Sequence, residues 1–355
     1  MNTEKLTTTG SQLQLSEFNC RWKWRCTFVC AITIWIPHFV CAAGNPVILE
    51  EEVAFVTDGG AFTGTLYVPV SENPVPLLIL YHAAGGGSVN FPFYAHLKAS
   101  LPARGIATFI YNRRGTEGQP GDFNTSSFED LALDGIAALK ILKSDPRINA
   151  SRIGAWGISQ GGWIAPLAST LSDDLSFVIS VSGPGVTPAE QMSFAAAFHL
   201  REAGFAEQEI EQALQLRAEI DAYYRNPVDR ETLQSRIDNF SDAPWFPLAF
   251  LPETLPEDVT TDKWFYEMDF DPIPTISRMD KPFLVIYGEK DRWVPVVDSI
   301  NAIRAAYPDK SRLSVYVSRQ SGHFISGEPE DPDYMGENPV ESQYLERMAA
   351  WIKDL

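Results

Sequence analysis

Apolar and polar positions along the chain switch between two periods. Short runs of β type occur at Val53–Thr57, Phe62–Val68, Pro76–Tyr81, Ala107–Tyr111, Arg152–Trp156, Phe177–Val181, Pro282–Tyr287 and Leu313–Val317. Those in the middle of the series are continuously apolar, as strands buried on both faces are. Between them lie helical stretches. The clearest is Phe128 to Lys143, where Leu131, Ile136, Leu139 and Leu142 recur at helical spacing and Ser126 with Glu129 forms a capping-box pattern. Strands alternating with helices predict an α/β protein with a mostly parallel, eight-stranded sheet flanked by helices.

The alternation breaks after about Gly183. Residues 188–225 read as polar helices rich in Ala, Glu and Gln, with Leu200, Ile210, Leu214 and Ile220 as an apolar stripe. Residues 240–274 are aromatic and proline-rich, and the sheet pattern resumes at Pro282. This predicts one sheet domain, residues 44–183 and 273–355, with a helical cap inserted at 184–272.

The first 43 residues differ in kind. A basic-aromatic cluster, Arg21-Trp22-Lys23-Trp24-Arg25, precedes a largely apolar run from Cys26 to Val40 and a small-residue end, Cys41-Ala42-Ala43. Basic flank, apolar run and small-residue end are the parts of a secretory signal peptide. The run is short for a spanning helix. The expectation is therefore export, periplasmic or secreted, with membrane anchoring through uncleaved residues 26–43 as the alternative.

The chain has 355 residues, 45% of them hydrophobic, and a formal net charge of −18. That acidity argues against a nucleic-acid partner, which would need a positive footprint, and against docking by charge on anionic lipid. All four cysteines, Cys20, Cys26, Cys30 and Cys41, fall within the first 41 residues. Cleavage after Ala43 would remove four basic and two acidic residues, leaving 312 residues, no cysteine and a net charge of −20. Such a body has no thiol for a disulfide, a metal or nucleophilic attack.

The segment richest in chemistry is Gly157-Ile158-Ser159-Gln160-Gly161-Gly162. An apolar strand leads into it and a stretch that can be helical, Gln160 to Thr170, leads out. A serine on that sharp turn is lifted into the open, and flanking glycines avoid clashes with neighbouring backbone. Its hydroxyl needs a base, and the base an orienting acid. After Ser159 the histidines are His199, within the cap, and His323, on a loop just after the last strand. The acid candidate is Asp291, just after the penultimate strand, with Glu289 competing. Ser159, Asp291 and His323 each lie at the C-terminal end of a strand, where open α/β sheets place their ligands.

From Val53 to Leu355 the chain resembles the α/β-hydrolases, in particular bacterial esterases and peptidase-like hydrolases with an inserted helical cap. The resemblance rests on the elbow Gly157–Gly162, the turn Gly288-Glu289-Lys290-Asp291 and Ser321-Gly322-His323. A further segment, Tyr111-Asn112-Arg113-Arg114-Gly115-Thr116, resembles the family's Asp-x-Arg-Gly turn with Asn112 in place of the aspartate, and Arg113 and Arg114 are expected to anchor it. The resemblance implies an oxyanion hole formed by the backbone N–H of Gln160 and a second amide from Tyr81-His82-Ala83-Ala84-Gly85-Gly86-Gly87, with Ala83 preferred over Ala84. His82 would fix that loop. The cap aromatics Trp245, Phe246, Trp264 and Phe265 are candidates for an apolar substrate pocket, plain packing within the cap being the competing role.

The implied activity is a serine hydrolase cleaving carboxylic esters of a small-molecule acyl substrate. Amide or peptide cleavage, of the prolyl-oligopeptidase-like or aminopeptidase-like type, is the alternative, and acyl-thioester hydrolysis stands third. A catalytically dead fold used for binding is the reading from another class; an intact Ser159, Asp291 and His323 argues against it. No metal or cofactor is expected, since the sequence contains no H-E-x-x-H, no Walker-type loop and no G-x-G-x-x-G after a strand.

Overall fold

Strand pairing fixes which loops meet. The computed structural model describes residues 46–326 and 340–355. Its strands are β1 (Ile48–Thr57), β2 (Gly60–Pro69), β3 (Val75–Tyr81), β4 (Ala107–Tyr111), β5 (Ile148–Ile158), β6 (Phe177–Val181), β7 (Phe283–Gly288) and β8 (Leu313–Ser318). They form one open sheet in the order β1-β2-β4-β3-β5-β6-β7-β8. β2 runs antiparallel to both β1 and β4, and every other neighbouring pair is parallel. The expected α/β-hydrolase fold, with its mostly parallel eight-stranded sheet flanked by helices, is therefore present. Strand order reverses at β3, which lies between β4 and β5. Crevices at such reversals are where open α/β sheets bind ligands.

The helices are α1 (Ala95–Lys98), α2 (Phe128–Leu142), α3 (Gly161–Leu171), α4 (Pro188–Glu202), α5 (Glu207–Arg225), α6 (Arg230–Phe240), α7 (Lys263–Glu267), α8 (Pro272–Arg278), α9 (Val296–Ala306) and α10 (Ser342–Asp354). Alternate residues of the central strands face opposite layers. Leu77, Ile79 and Tyr81 of β3 pack with Leu131 and Leu139 of α2, Ile164 of α3 and Ile303 of α9. Leu78 and Leu80 face Leu97 of α1 and Tyr344, Met348 and Ile352 of α10. Both faces are covered, so the strands read as unbroken apolar runs.

Helix α2 starts one residue later in its capping register than the sequence pattern indicates. Ser127, not Ser126, accepts from the Asp130 amide at 3.2 Å, and the Asp130 carboxylate accepts from the Ser127 amide at 2.7 Å. Two adjacent serines and two adjacent acids permit both registers. The Ser126 hydroxyl donates instead to the carbonyl of Asp122.

Between β6 and β7 the chain inserts α4 to α7, whose buried residues form a hydrophobic cluster of their own. Leu200, Ile210, Leu216 and Ile220 supply its helical stripe, and Trp245, Phe246 and Met268 fill it from the aromatic segment. Among the described residues, no helix is long and apolar enough to cross a membrane. The expected signal peptide and the four cysteines lie outside the described residues.

Candidate active site

Strand β5 ends at Ile158, and Ser159 turns the chain into α3 with φ 55°. A left-handed conformation at a residue carrying a Cβ stores about 1–3 kcal/mol, which the surrounding contacts must hold. They are close. A Cβ on Gly157 would stand 1.9 Å from the Gly161 carbonyl oxygen, and one on Gly161 would stand 2.1 Å from that of Tyr81. Only glycine fits at either place, so the elbow is pressed against the end of β3. Ser159 itself is partly exposed, and Gln160 behind it is buried and forms the N-cap of α3.

Asp291 and His323 meet. The His323 Nδ1 lies 2.9 Å from Asp291 Oδ2, and Asp291 Oδ1 accepts from the amides of Trp293 at 2.8 Å and Val294 at 3.0 Å. With one oxygen tied to the backbone, the other has a fixed direction in which to hold the imidazole. Both residues are buried, whereas the competing acid Glu289 is exposed. The end of β6 links this pair to Ser159. The Ser159 amide donates to the Val181 carbonyl at 2.9 Å, and the next residue, Ser182, donates its hydroxyl to the His323 carbonyl at 2.7 Å. Ser182, itself at φ 48°, ties the ends of β6 and β8 together and lies in no sequence motif. The remaining histidine after the elbow, His199 on α4, packs its ring against Trp293 and Phe250, with centroids 4.8 and 5.4 Å away.

The loop after β3 departs from expectation. The Ala83 amide, the preferred second oxyanion donor, is buried and donates to the Tyr94 hydroxyl at 3.2 Å. That hydroxyl in turn donates to the Gly86 carbonyl at 3.0 Å. The first amide after it, that of the exposed Ala84, becomes the candidate. His82 does fix the loop: its Nε2 lies 2.6 Å from the Tyr111 carbonyl and its Nδ1 3.2 Å from the Tyr94 hydroxyl. Burial, aided by the nearby Arg113 cation, pushes the His82 pKa down to about 3, so the ring is neutral. A neutral ring facing a carbonyl carries its proton on Nε2.

The two arginines after β4 divide the work of anchoring. Arg114 grips Asp134 through Nε at 2.8 Å and Nη2 at 2.7 Å, and reaches Asp58 at 2.9 Å. Arg113 points the other way. It donates to the carbonyls of Ala83 at 3.1 Å and Ala84 at 3.0 Å, with its guanidinium stacked 3.4 Å over the Phe123 ring. One arginine ties down a helix and the other ties down the candidate oxyanion loop.

Of the four aromatics proposed for a substrate pocket, one lines a cavity. Trp245 and Phe246 are 3% and 4% exposed and belong to the core of the insertion. Phe265 points outward, 39% exposed. Trp264 lines a cavity of about 400 Å³ together with Ile220, Phe250 and Leu251 and the polar side chains Arg217, Asp221, Asp262 and Glu267. Its Nε1 donates to Asp221 at 2.8 Å. The triad does not line this cavity. Its walls reach the triad's neighbours, because Glu267 accepts from the Gln160 side chain at 2.7 Å and Phe250 packs 4.9 Å from Trp293. Among the described residues, no three of His, Cys, Asp or Glu converge as metal ligands would.

The family model described as the alpha/beta hydrolase family matches residues 77–333, which contain all three triad candidates. The chain belongs to the alpha/beta hydrolase family. Solved structures agree on the fold at low identity. A 2,6-dihydroxy-pseudo-oxynicotine hydrolase superposes with a TM-score of 0.54 at 15% identity, over 86% of this chain and 67% of its own. An esterase of Pyrococcus furiosus gives 0.53 at 15%, over 86% and 91%. An acylaminoacyl peptidase of Pyrococcus horikoshii gives 0.52 at 16%, over 86% of this alpha/beta hydrolase but only 41% of the peptidase. One fold thus serves three differently named enzymes, and the reaction of this hydrolase has to be argued from its own site.

Proposed function

We propose that the protein hydrolyses carboxylic esters through an acyl-enzyme on Ser159. The observation that carries this reading is the Asp291–His323 bond of 2.9 Å, its acid braced by two backbone amides, with a serine on a strained elbow at the end of β5. An imidazole that donates Nδ1–H to a carboxylate carries its lone pair on Nε2, the atom that acts as base. His323 Nε2 then takes the proton as Ser159 Oγ bonds to the acyl carbon. The carbonyl π-pair moves onto oxygen, which the amides of Gln160 and Ala84 stabilise; one such donor is worth about 3 kcal/mol of barrier. Collapse breaks the bond to the alcohol oxygen, which leaves with the proton from His323. Water repeats the sequence, giving its proton to His323 and its oxygen to the acyl carbon, and Ser159 recovers its proton as the acid departs.

The insertion acts as a cap in this reading, with its cavity taking part of a small or medium substrate. A second reading, amide or peptide hydrolysis, draws on the polar wall of that cavity. Asp221, Asp262 and Glu267 outnumber Arg217 there, a balance suited to a substrate amine. Residues 1–43 would direct the hydrolase out of the cytoplasm, and a natural N-terminus at Met1 would refute that.

A substrate panel tests the chemistry: short p-nitrophenyl esters, aminoacyl anilides and acyl thioesters, with fluorophosphonate labelling alongside. Esters should turn over fastest. Ser159→Ala should lose labelling and about a million-fold in kcat. Equal labelling of the variant would remove Ser159 as the nucleophile, and faster turnover of anilides would favour the second reading.

A further inference from the structure

The inserted segment touches the catalytic body at a site that the proposed mechanism leaves unused. Gln160, whose backbone supplies an oxyanion donor in that mechanism, is 3% exposed. Its side-chain amide reaches away from the sheet and donates to Glu267 Oε2 at 2.7 Å. Glu267 is the last residue of α7, and its side chain is 14% exposed. It pairs with Lys263 one turn earlier at 3.2 Å. Lys263 runs back to the sheet domain, donating to the Ser126 carbonyl at 2.8 Å with its ammonium about 5 Å over the rings of Phe123 and Phe128.

This arrangement is not explained by helix stability. A five-residue helix is too short to form by itself, and Lys preceding Glu by four is the weaker order for an intrahelical pair. Nor is it fully satisfied. The Oε1 of Gln160 is buried without a hydrogen-bond partner. Such an atom is costly to keep, yet the accepting Glu267 oxygen imposes it, since only the amide nitrogen can donate there.

The same carboxylate also faces Arg113, the residue that holds the carbonyls of Ala83 and Ala84. Glu267 therefore stands where the supports of both candidate oxyanion donors converge. Burial pushes its carboxyl up, while Lys263, Arg113 and Gln160 pull it down.

We propose that Glu267 is a positioning residue for ester hydrolysis: it grips the Gln160 side chain and so fixes the direction of the Gln160 N–H that meets the oxyanion. The inference rests on the acyl-enzyme reading above. It makes the insertion part of the catalytic apparatus as well as a cover, because α7 carries the fixing group. Oxyanion stabilisation depends on donors held in place before charge develops, so a loosened donor costs kcat more than KM.

The test uses the full chain and p-nitrophenyl acetate, an ester too small to need the cavity. Glu267→Leu removes the acceptor that holds the Gln160 amide. It should lower kcat at least tenfold, leave KM within threefold, and slow fluorophosphonate labelling by the same factor. Glu267→Gln and Glu267→Asp should each recover part of the loss, as an amide oxygen or a shortened carboxylate can still accept from the Gln160 amide. Gln160→Ala should match the Glu267→Leu loss, and the double variant should be no slower than either single one.

Wild-type kcat in Glu267→Leu would overturn the proposal, as would a higher KM alone, which would make Glu267 a substrate contact. Additive losses in the double variant would also overturn it, since Glu267 would then act by a route other than Gln160. If Glu267→Leu does not fold, the Gln160→Ala and Glu267→Asp arms carry the same test. The underlying reading fails separately, when fluorophosphonate does not label Ser159 of the wild-type chain.

Discussion

The sheet and the insertion solve the same problem, burying apolar side chains, and they leave different things at their surfaces. The sheet is covered on both faces, so its candidate catalytic groups stand at the strand ends: Ser159 after β5, Asp291 after β7 and His323 after β8. The insertion has no sheet. It packs four helices around Trp245, Phe246 and Tyr223, and what is left over is a cavity with a mixed wall. Position in a regular scaffold reveals chemistry at strand ends. Within the insertion, only packing separates a core aromatic from a wall aromatic.

The sharpest way to break this contrast is a substitution at a strand end that leaves packing untouched. Asp291→Asn retains an oxygen for the amides of Trp293 and Val294, so the loop should stay in place. Its amide nitrogen would face His323 Nδ1 and reverse the tautomer, putting the proton on the nitrogen needed as base. The expected loss is about 10⁴-fold in kcat with a melting temperature within about two degrees of wild type. Near wild-type turnover would mean that Asp291 is not the orienting acid. A large loss of stability would mean that the strand-end loops are scaffold after all.

The same contrast explains how far the sequence could be read. All eight runs of β type became strands because period two and unbroken apolarity follow directly from a two-sided sheet. Their ends were less legible. β5 begins at Ile148, ahead of the apolar run, because Ile148 pairs with Val75 before a register shift. β1 begins at Ile48 and passes through Glu50, Glu51 and Glu52, which an edge strand tolerates; Glu51 meets Arg147 at 2.6 Å. Ser159, Asp291 and His323 were legible because motif and strand end coincide. The bond that occupies the Ala83 amide leaves no trace in the sequence, because its partner, the Tyr94 hydroxyl, comes from a segment eleven residues away with no motif of its own. The bond from Gln160 to Glu267 spans 107 residues and joins two elements that no periodicity relates. Trp245 and Trp264 look alike as letters, and their roles diverge only in the folded insertion.

That divergence gives the next largest effect. Trp245 packs against Phe240 and Phe246, with ring centroids 5.3 and 6.0 Å away, and is almost fully buried. Trp245→Ala should cost about 3–5 kcal/mol in urea unfolding, while kcat on short esters stays close to wild type for the molecules that remain folded. A stable variant with altered acyl preference would move Trp245 to the cavity wall.

Acid should weaken the sheet body before the insertion. His82 and His96 are buried beside the sheet, and burial pushes their pKa values down to about 3 and about 4. An unfolded chain binds those protons near pH 6.5, so below that value the unfolded state holds more protons than the folded one. The stabilisation is complete above about pH 6.5 and declines as the pH falls, by of order 2 kcal/mol for each ring at pH 5. Asp221 and Glu267 in the insertion are shifted upward by burial, so they take up protons more readily when folded and gain stability in acid. Urea unfolding at pH 7 and pH 5 should show the loss, and His96→Gln should reduce it by about half. An unfolding free energy that is flat over this range would refute the buried neutral rings.

The smallest effect is the most specific to the insertion. Trp264 places its ring on the cavity wall and its Nε1 on Asp221. Trp264→Phe removes the donor but keeps an aromatic face, at a cost of about 1 kcal/mol in stability, since Asp221 borders a cavity that can hydrate it. Trp264→Ala also removes the wall. The enlarged cavity should accept longer acyl chains, moving the ratio of kcat/KM for octanoate over butyrate esters by about tenfold, the scale on which apolar pockets discriminate chain length. Acetate turnover should not change, because an acetyl group at Ser159 does not extend to the cavity. If Trp264→Ala instead lowers kcat equally for every ester, the ring supports α7 and its hold on Gln160. The insertion would then act on the strand-end chemistry directly, and the division between a catalytic sheet and a selective insertion would fail at that residue.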